Sequence, residues 1–100
     1  MVVGICRVTM NIGGSFSLKD KRSVVKSIIN RIRSRYNVAI AEVSLNDNWR
    51  RAVLGIACVS NESAHADKML EEVIAYIESD GRVVLENYTT EKIYINTNTE

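Results

Sequence analysis

Basic side chains are grouped along one flank of a predicted helix, at spacings that suit contact with a row of phosphates. At 100° per residue, Lys19, Arg22, Lys26 and Arg33 share this flank, and Arg31 and Arg35 lie on the opposite one. Serine and asparagine side chains face outward between the two flanks, at Ser23, Ser27, Asn30 and Ser34. Lysine and arginine neutralise phosphates, while short polar side chains let a phosphate backbone come close. This pattern predicts either a surface that binds nucleic-acid backbone or an ordinary solvated helix face.

The start of the same helix carries an unusual concentration of positive charge. Lys19, Lys21 and Arg22 crowd one turn, shortly after the pair Gly13-Gly14. The helix macrodipole is positive at this end and disfavours cations there. Their presence fits a site that attracts anions, with free backbone N–H groups adding to the attraction. Paired glycines are also common in ordinary turns, and neither a P-loop nor a Rossmann fingerprint is present.

A tryptophan and an arginine stand together in a polar loop between two predicted strands. Trp49, beside Arg50, could stack on a base or anchor a protein partner. The alternative, and the commoner arrangement, is a tryptophan that folds back as a lid over the core. The outward positions of the predicted central strands hold no aromatic residue for base stacking, so any RNA contact is expected to run through the helix and the loops. Tyr88 and Tyr94, on the last strand, are expected to pack.

Residues for catalysis or metal binding are sparse. His65 is the only histidine and is expected on the polar side of a helix, where a surface or capping role is favoured. Cys6 and Cys58 each lie in an apolar run, which is typical of reduced thiols in a cytosolic protein. No cluster has metal-ligand spacing, and no residues assemble a nucleophile, a base and an oxyanion hole. We therefore expect a cytoplasmic, non-enzymatic protein without a metal or cofactor.

The periodicity of apolar residues places these side chains on six elements. A two-residue period indicates a strand, a 3.6-residue period indicates a helix, and Ser17 with Asp20 resembles a capping box. A second helix is expected to be capped at Ser60-Asn61 and to end at the Asp80-Gly81 turn. The predicted elements are strand 2–12, helix 18–36, strands 38–45 and 52–59, a helix with its apolar stripe over 66–77, and strand 82–95, bulged or broken near Thr89-Thr90.

The order β-α-β-β-α-β predicts an α+β, ferredoxin-like sandwich: four antiparallel strands with both helices on one face. The chain has 100 residues, is 46% hydrophobic and contains no proline, which suits a single domain over residues 1–100. The other sheet face remains apolar, at Val3, Ile5, Val53, Ala57 and Val59. Either β-branched residues simply favour strands, or a partner or second copy covers this face. Closed two-fold dimers are the commonest assembly, which favours a homodimer.

Charge is divided unevenly along the chain, although the formal net charge is only +1. Residues 1–51 hold ten Lys/Arg against three Asp/Glu, whereas residues 52–100 hold three against nine. This division indicates a polyanionic partner, an internal electrostatic fit or a self-complementary assembly. The second helix has an acidic flank at Asp67, Glu71 and Glu78, which would cancel the basic flank if the two faced each other. No apolar run approaches the length of a membrane span, so no membrane partner is expected.

Several short strings resemble the YlxP-like family of small bacterial proteins. They are Ser17-Leu18-Lys19-Asp20-Lys21-Arg22, Arg35-Tyr36-Asn37-Val38, Ala41-Glu42-Val43, the Asp47-x-Trp49 pair and Gly55-Ile56-Ala57. The resemblance covers nearly the whole chain and implies a ferredoxin-like fold and a bacterial cytoplasmic setting, but no activity. Members are often encoded beside genes for ribosome maturation and translation initiation, which implies ribosomal RNA or a ribosome precursor as partner.

The leading hypothesis is a non-enzymatic RNA- or ribosome-associated protein that acts in ribosome maturation or translation. The residues predicted to bind nucleic acid are Lys19, Lys21, Arg22, Lys26, Arg33, Trp49 and Arg50. The alternative is a homodimeric protein-interaction module that associates through the open sheet face.

Overall fold

The structure, a computed structural model, describes residues 1–97 and contains the six predicted elements in the predicted order. Most of their boundaries lie within one or two residues of the prediction. They are β1 (Val2–Ile12), α1 (Leu18–Arg35), β2 (Ala39–Ser44), β3 (Arg51–Ser60), α2 (Ser63–Glu78) and β4 (Val83–Tyr94).

The four strands form one antiparallel sheet in the order β2-β3-β1-β4. β1 and β3 are therefore central, as predicted, and β2 and β4 are the edges. Residue Val8 of β1 lies opposite Leu54 of β3 and Tyr88 of β4. The irregularity of β4 comes earlier than predicted: the register shifts opposite Thr9/Met10, whereas Thr89 and Thr90 pair regularly. The prediction of a break near Thr89-Thr90 is wrong.

Both helices begin near their predicted caps, with differences in detail. Ser17 accepts a hydrogen bond from the backbone N–H of Asp20 at 3.1 Å, as in a capping box. The carboxylate of Asp20 reaches one residue further back and accepts from the backbone N–H of Phe16, also at 3.1 Å. The cap of α2 is Glu62 rather than Ser60-Asn61, because Ser60 Oγ is used in a turn that accepts from the N–H of Glu62.

The core lies between the sheet and the two helices, which cover one face. α1 contributes Val25, Ile28 and Ile32, and α2 contributes Ala66, Leu70, Val73, Ile74 and Ile77. Cys6 and Cys58 are free thiols buried in this core, as predicted. The opposite face of the sheet is uncovered in the single chain: Val59 is 62% exposed and Ile93 48%. Neither helix within residues 1–97 combines the length and the apolar composition that crossing a membrane requires.

Candidate nucleic-acid interface

The basic flank of α1 faces outward beside the edge strand β2. Arg22, Lys26 and Arg33 line a groove of about 440 Å³ together with Ala41 and Glu42 of β2. Lys19 continues the flank toward the helix start. The four cations, which we call the basic row, are all exposed: Lys19, Arg22, Lys26 and Arg33. At 1.5 Å per residue the row is about 21 Å long.

The acidic flank of α2 faces the other edge of the sheet. Asp67, Glu71 and Glu78 line a groove of about 300 Å³ against Tyr88 and Thr90 of β4, which we call the acidic groove. The edges β2 and β4 are three strand spacings apart, about 14 Å. The two flanks therefore point away from each other, and among residues 1–97 no ion pair joins α1 to α2. Cancellation across the helix interface, which the sequence left open, does not occur.

The contact between the helices uses Arg35, which lies on the opposite flank of α1. The guanidinium of Arg35 lies 4.9 Å from the ring centre of Tyr76, on α2. Tyr36 meets the same ring edge to face, with the centroids 6.0 Å apart. In the turn that follows α2, Arg82 pairs with Asp80 and donates to Ser27 Oγ, on α1, at 3.2 Å. The basic row is therefore not needed to join the helices.

Lys21 does not belong to this surface, and its assignment as a phosphate-binding residue is wrong. The residue is fully buried. Its Nζ donates to the carbonyl oxygens of Leu45 and Asn46, at 2.8 and 3.3 Å, and forms an ion pair with Glu42 Oε2. Two carbonyl acceptors and one carboxylate surround the ammonium group, so the Lys21 charge is compensated inside the fold. The same pair balances Glu42, which leaves the groove beside β2 positive.

Arg33 has both an internal contact and an exposed charge. One guanidinium nitrogen, Nη2, donates to the backbone oxygen of Ile40 at 2.9 Å. A guanidinium has five N–H donors and stays protonated, so one hydrogen bond leaves both charge and donors for a ligand. The bond holds the Arg33 side chain against β2, at the far end of the basic row.

Trp49 lies outside the core, so the predicted lid arrangement is wrong. Its side chain is 41% exposed, and the guanidinium of Arg50 lies 4.7 Å from its ring centre. The loop that carries it is fixed by backbone contacts. Ser15 Oγ hydrogen-bonds to the carbonyl oxygen of Trp49, and the N–H of Ile12 donates to the carbonyl of Arg50 at 2.7 Å. Trp49 and Arg50 are thus presented to solvent next to the segment that leads into α1.

Phe16 is an exposed aromatic residue that sequence reasoning passed over. It precedes the cap of α1 and is 74% exposed, more than any other large hydrophobic residue in the described chain. A hydrophobic residue at this position often packs on the fourth helical residue. That residue here is Lys21, which is a cation directed into the β2–β3 loop. A lysine where an apolar partner is usual was therefore the sequence signal that Phe16 would be exposed.

The remaining aromatic and titratable residues lie elsewhere. Tyr88 and Tyr94 are 51% and 63% exposed, yet both lie against α2: Tyr88 lines the acidic groove, and the hydroxyl of Tyr94 is 3.0 Å from Ser63 Oγ. His65 is exposed on α2. Burial raises the pKa of Cys6 to about 11. Within residues 1–97 no group of three His, Cys, Asp or Glu side chains is close enough to hold a metal ion.

A family model described as "Protein of unknown function (DUF503)" matches residues 3–90 of the chain. The chain belongs to the DUF503 family. It is 37% identical over 78 residues to the "Uncharacterized protein YlxP" of Bacillus subtilis (strain 168), a match that covers 78% of this chain and 85% of that protein. The resemblance to the YlxP-like family is confirmed. A solved structure, a dimeric ferredoxin-like protein from an uncultured marine organism, aligns with 13% identity and a TM-score of 0.42, covering 95% and 96% of the two chains.

In this DUF503 chain, some residues of the strings that carried the resemblance lie inside the fold and others lie on its surface. Lys21 and Glu42 meet inside the fold, where they link α1 to β2 and to the loop after it. Lys19, Arg22 and Trp49 are exposed. A short run of adjacent basic residues therefore combines an internal contact with an outward surface.

Proposed function

We propose that this protein is a non-enzymatic RNA-binding protein that holds phosphate backbone along the basic row. The observation that carries the proposal is the separation of charge between the two sheet edges. The row lies beside β2 and the acidic groove lies beside β4, and these two edges of the sheet are about 14 Å apart. At physiological salt the Debye length is about 8 Å. The negative charges of the acidic groove therefore cancel little of the positive field at the row.

The geometry of the row supports contact with a backbone rather than with bases. The residues between its cations and those of the opposite flank are short, at Ser23, Asn30 and Ser34. The outer sheet face holds no aromatic residue on β1 or β3, where sheet-face RNA readers place theirs. The choice of ribosomal RNA or a ribosome precursor rests on the resemblance to the YlxP-like family alone.

Titration of a labelled ribosomal RNA fragment, followed by fluorescence anisotropy, tests the proposal. Four phosphate contacts predict a slope of log K against log[salt] of about −3, which is roughly a 60-fold loss between 50 and 200 mM salt. Lys26→Glu should weaken binding across sequences and reduce the slope by about 0.7 to 0.9. Lys68→Glu, at an exposed position on α2, is the matched control because it changes net charge equally. Absence of binding at 50 mM salt, or equal loss in both variants, would refute the proposal.

A second candidate function is a homodimer formed through the open sheet face. Exposed β-branched side chains on three strands favour it: Val43 is 57% exposed, Val59 62% and Ile93 48%. The face also carries both signs of charge, at Arg7 and Glu91, so two copies need not repel. Val59→Asp tests this candidate better than a change at Val53, which is only 8% exposed. A wild type that sediments as a monomer at high concentration removes the candidate.

A further inference from the structure

Phe16 leaves a large apolar surface in water at the Lys19 end of the basic row. Burying a phenylalanine side chain contributes roughly 1.5–3 kcal/mol, and at 74% exposure most of this is absent. The position is nevertheless fixed, since the backbone N–H of Phe16 donates to Asp20 and the next residue, Ser17, caps α1. The fold therefore holds Phe16 at a defined place on the surface.

Trp49 belongs to the β2–β3 loop, which is held beside the segment that contains Phe16. Ser15, the residue before Phe16, is buried and its Oγ contacts both the carbonyl of Ser17, at 3.0 Å, and that of Trp49. The two exposed aromatic residues are thereby anchored through one serine at one end of the domain. The other two exposed aromatic residues, Tyr88 and Tyr94, lie on β4 at the opposite edge.

A cation lies against one of the rings, and another follows the second ring in the chain. Arg50 lies against the indole of Trp49, and Lys19 is three residues after Phe16. Aromatic rings next to a positively charged groove are the arrangement with which proteins bind single-stranded nucleic acid, because each base has a face that stacks and each nucleotide has a phosphate. A base inside a duplex already stacks on its neighbours, so only an unpaired nucleotide can use these rings.

We propose that Phe16 and Trp49 form a stacking end of the basic row that takes an unpaired base, so that the RNA bound by this protein contains a single-stranded segment. The inference rests on the proposed function and adds a class of substrate to it. Phosphates along the row supply most of the affinity, and the aromatic end discriminates unpaired from fully paired RNA.

Trp49 supplies the test, because it is the only tryptophan of the chain and its emission reports on stacking directly. Two labelled RNAs of equal length are compared, one single-stranded and one fully paired. We expect quenching of Trp49 emission with the single strand only. Phe16→Leu should lower affinity for the single strand by about 5- to 150-fold, the range for one stacked base, and leave affinity for the duplex unchanged.

Tyr88→Leu is the matched control, since it removes a half-exposed ring at the acidic groove. It should bind both RNAs as the wild type does. If both RNAs bind with equal affinity and unchanged emission, or if Phe16→Leu weakens the two equally, the stacking end is refuted and the basic row stands. If neither RNA binds at low salt, the proposed function itself fails. A Phe16→Leu variant that binds both RNAs normally also overturns the inference.

Discussion

The ammonium of Lys21 and the carboxylate of Glu42 form an ion pair between the first turns of α1 and the edge strand β2, with the lysine side chain completely buried. Lys21 also donates to two carbonyls of the β2–β3 loop, where Leu45 adopts a left-handed backbone with φ of 59°. A buried charge is tolerated only when it is paired and hydrogen-bonded, and Lys21 has both a carboxylate partner and two carbonyl acceptors. This contact joins the start of α1 to the loop that carries Trp49.

Loss of Lys21 should therefore destabilise the protein more than a surface change does. In Lys21→Met, Glu42 and the carbonyls of Leu45 and Asn46 lose their partner, and we expect the free energy of unfolding to fall by about 3–5 kcal/mol. The double variant Lys21→Met/Glu42→Gln should lose clearly less than the sum of the single variants, because no unpaired charge remains. Urea unfolding measures all three. Strict additivity would show that the ion pair contributes nothing.

Close packing of α2 on β1 depends on Gly4. A Cβ added there would lie 3.0 Å from Cys58 Sγ and 3.0 Å from Leu70 Cδ1. Gly4→Ala should thus cost about 1–3 kcal/mol of stability, the usual range for overpacking a core. Gly81→Ala is the control, since a Cβ there meets nothing within 4 Å. Thermal melts of the two variants that coincide would contradict the packing argument.

The two thiols should be chemically inert in the native protein. Burial raises the pKa of Cys6 to about 11, and burial is also the main cause that raises the pKa of Cys58. The thiolate is the reactive form, so almost none is present at pH 8. Ellman's reagent should label neither cysteine at pH 8 without denaturant and both in 6 M guanidinium, a condition chosen to unfold the chain. Rapid labelling of the native protein would disprove this prediction.

Asp80 should make stability depend on pH in the acid range. Its carboxylate accepts three hydrogen bonds from Arg82, at 2.7, 2.9 and 3.0 Å, and the side-chain bonds are the main cause that lowers its pKa below 3.8. A lowered native pKa stabilises the fold above the unfolded pKa, and this contribution is lost as pH falls through the native value. Asp80→Asn should flatten the acid limb of a stability–pH curve. If the acid limb of the curve is unchanged in Asp80→Asn, other carboxylates cause the acid dependence and the prediction is wrong.

The fold was predictable because each element has a regular period. The alternation from Val2 to Ile12 and the helical stripe through Val25, Ile28 and Ile32 leave one consistent order of strands and helices. The β4 irregularity was misplaced because a bulge depends on its partner strand: the shift lies opposite Thr9/Met10, and nothing local in β4 marks it.

The site was predictable as a flank but not residue by residue. Lys19 and Lys21 are both lysines in the first helical turns, yet one is exposed and the other buried. Helical geometry contained the signal, since Lys21 precedes Val25 and Ile28 by four and seven residues and shares their inward side. What the sequence could not show is the pair of carbonyls that accept from Lys21, because they depend on the left-handed turn at Leu45.

The charges on opposite edges of the sheet have a further consequence for how the molecule meets a partner. Arg22, Lys26 and Arg33 lie on one side and Glu71 and Glu78 on the other, where Asp67 is paired with Lys92, so the domain has an electric dipole moment across the strands. The field of a polyanion exerts a torque on this moment and turns the β2 edge toward the polyanion before contact. Such pre-orientation raises the fraction of encounters that are productive, and added salt abolishes it.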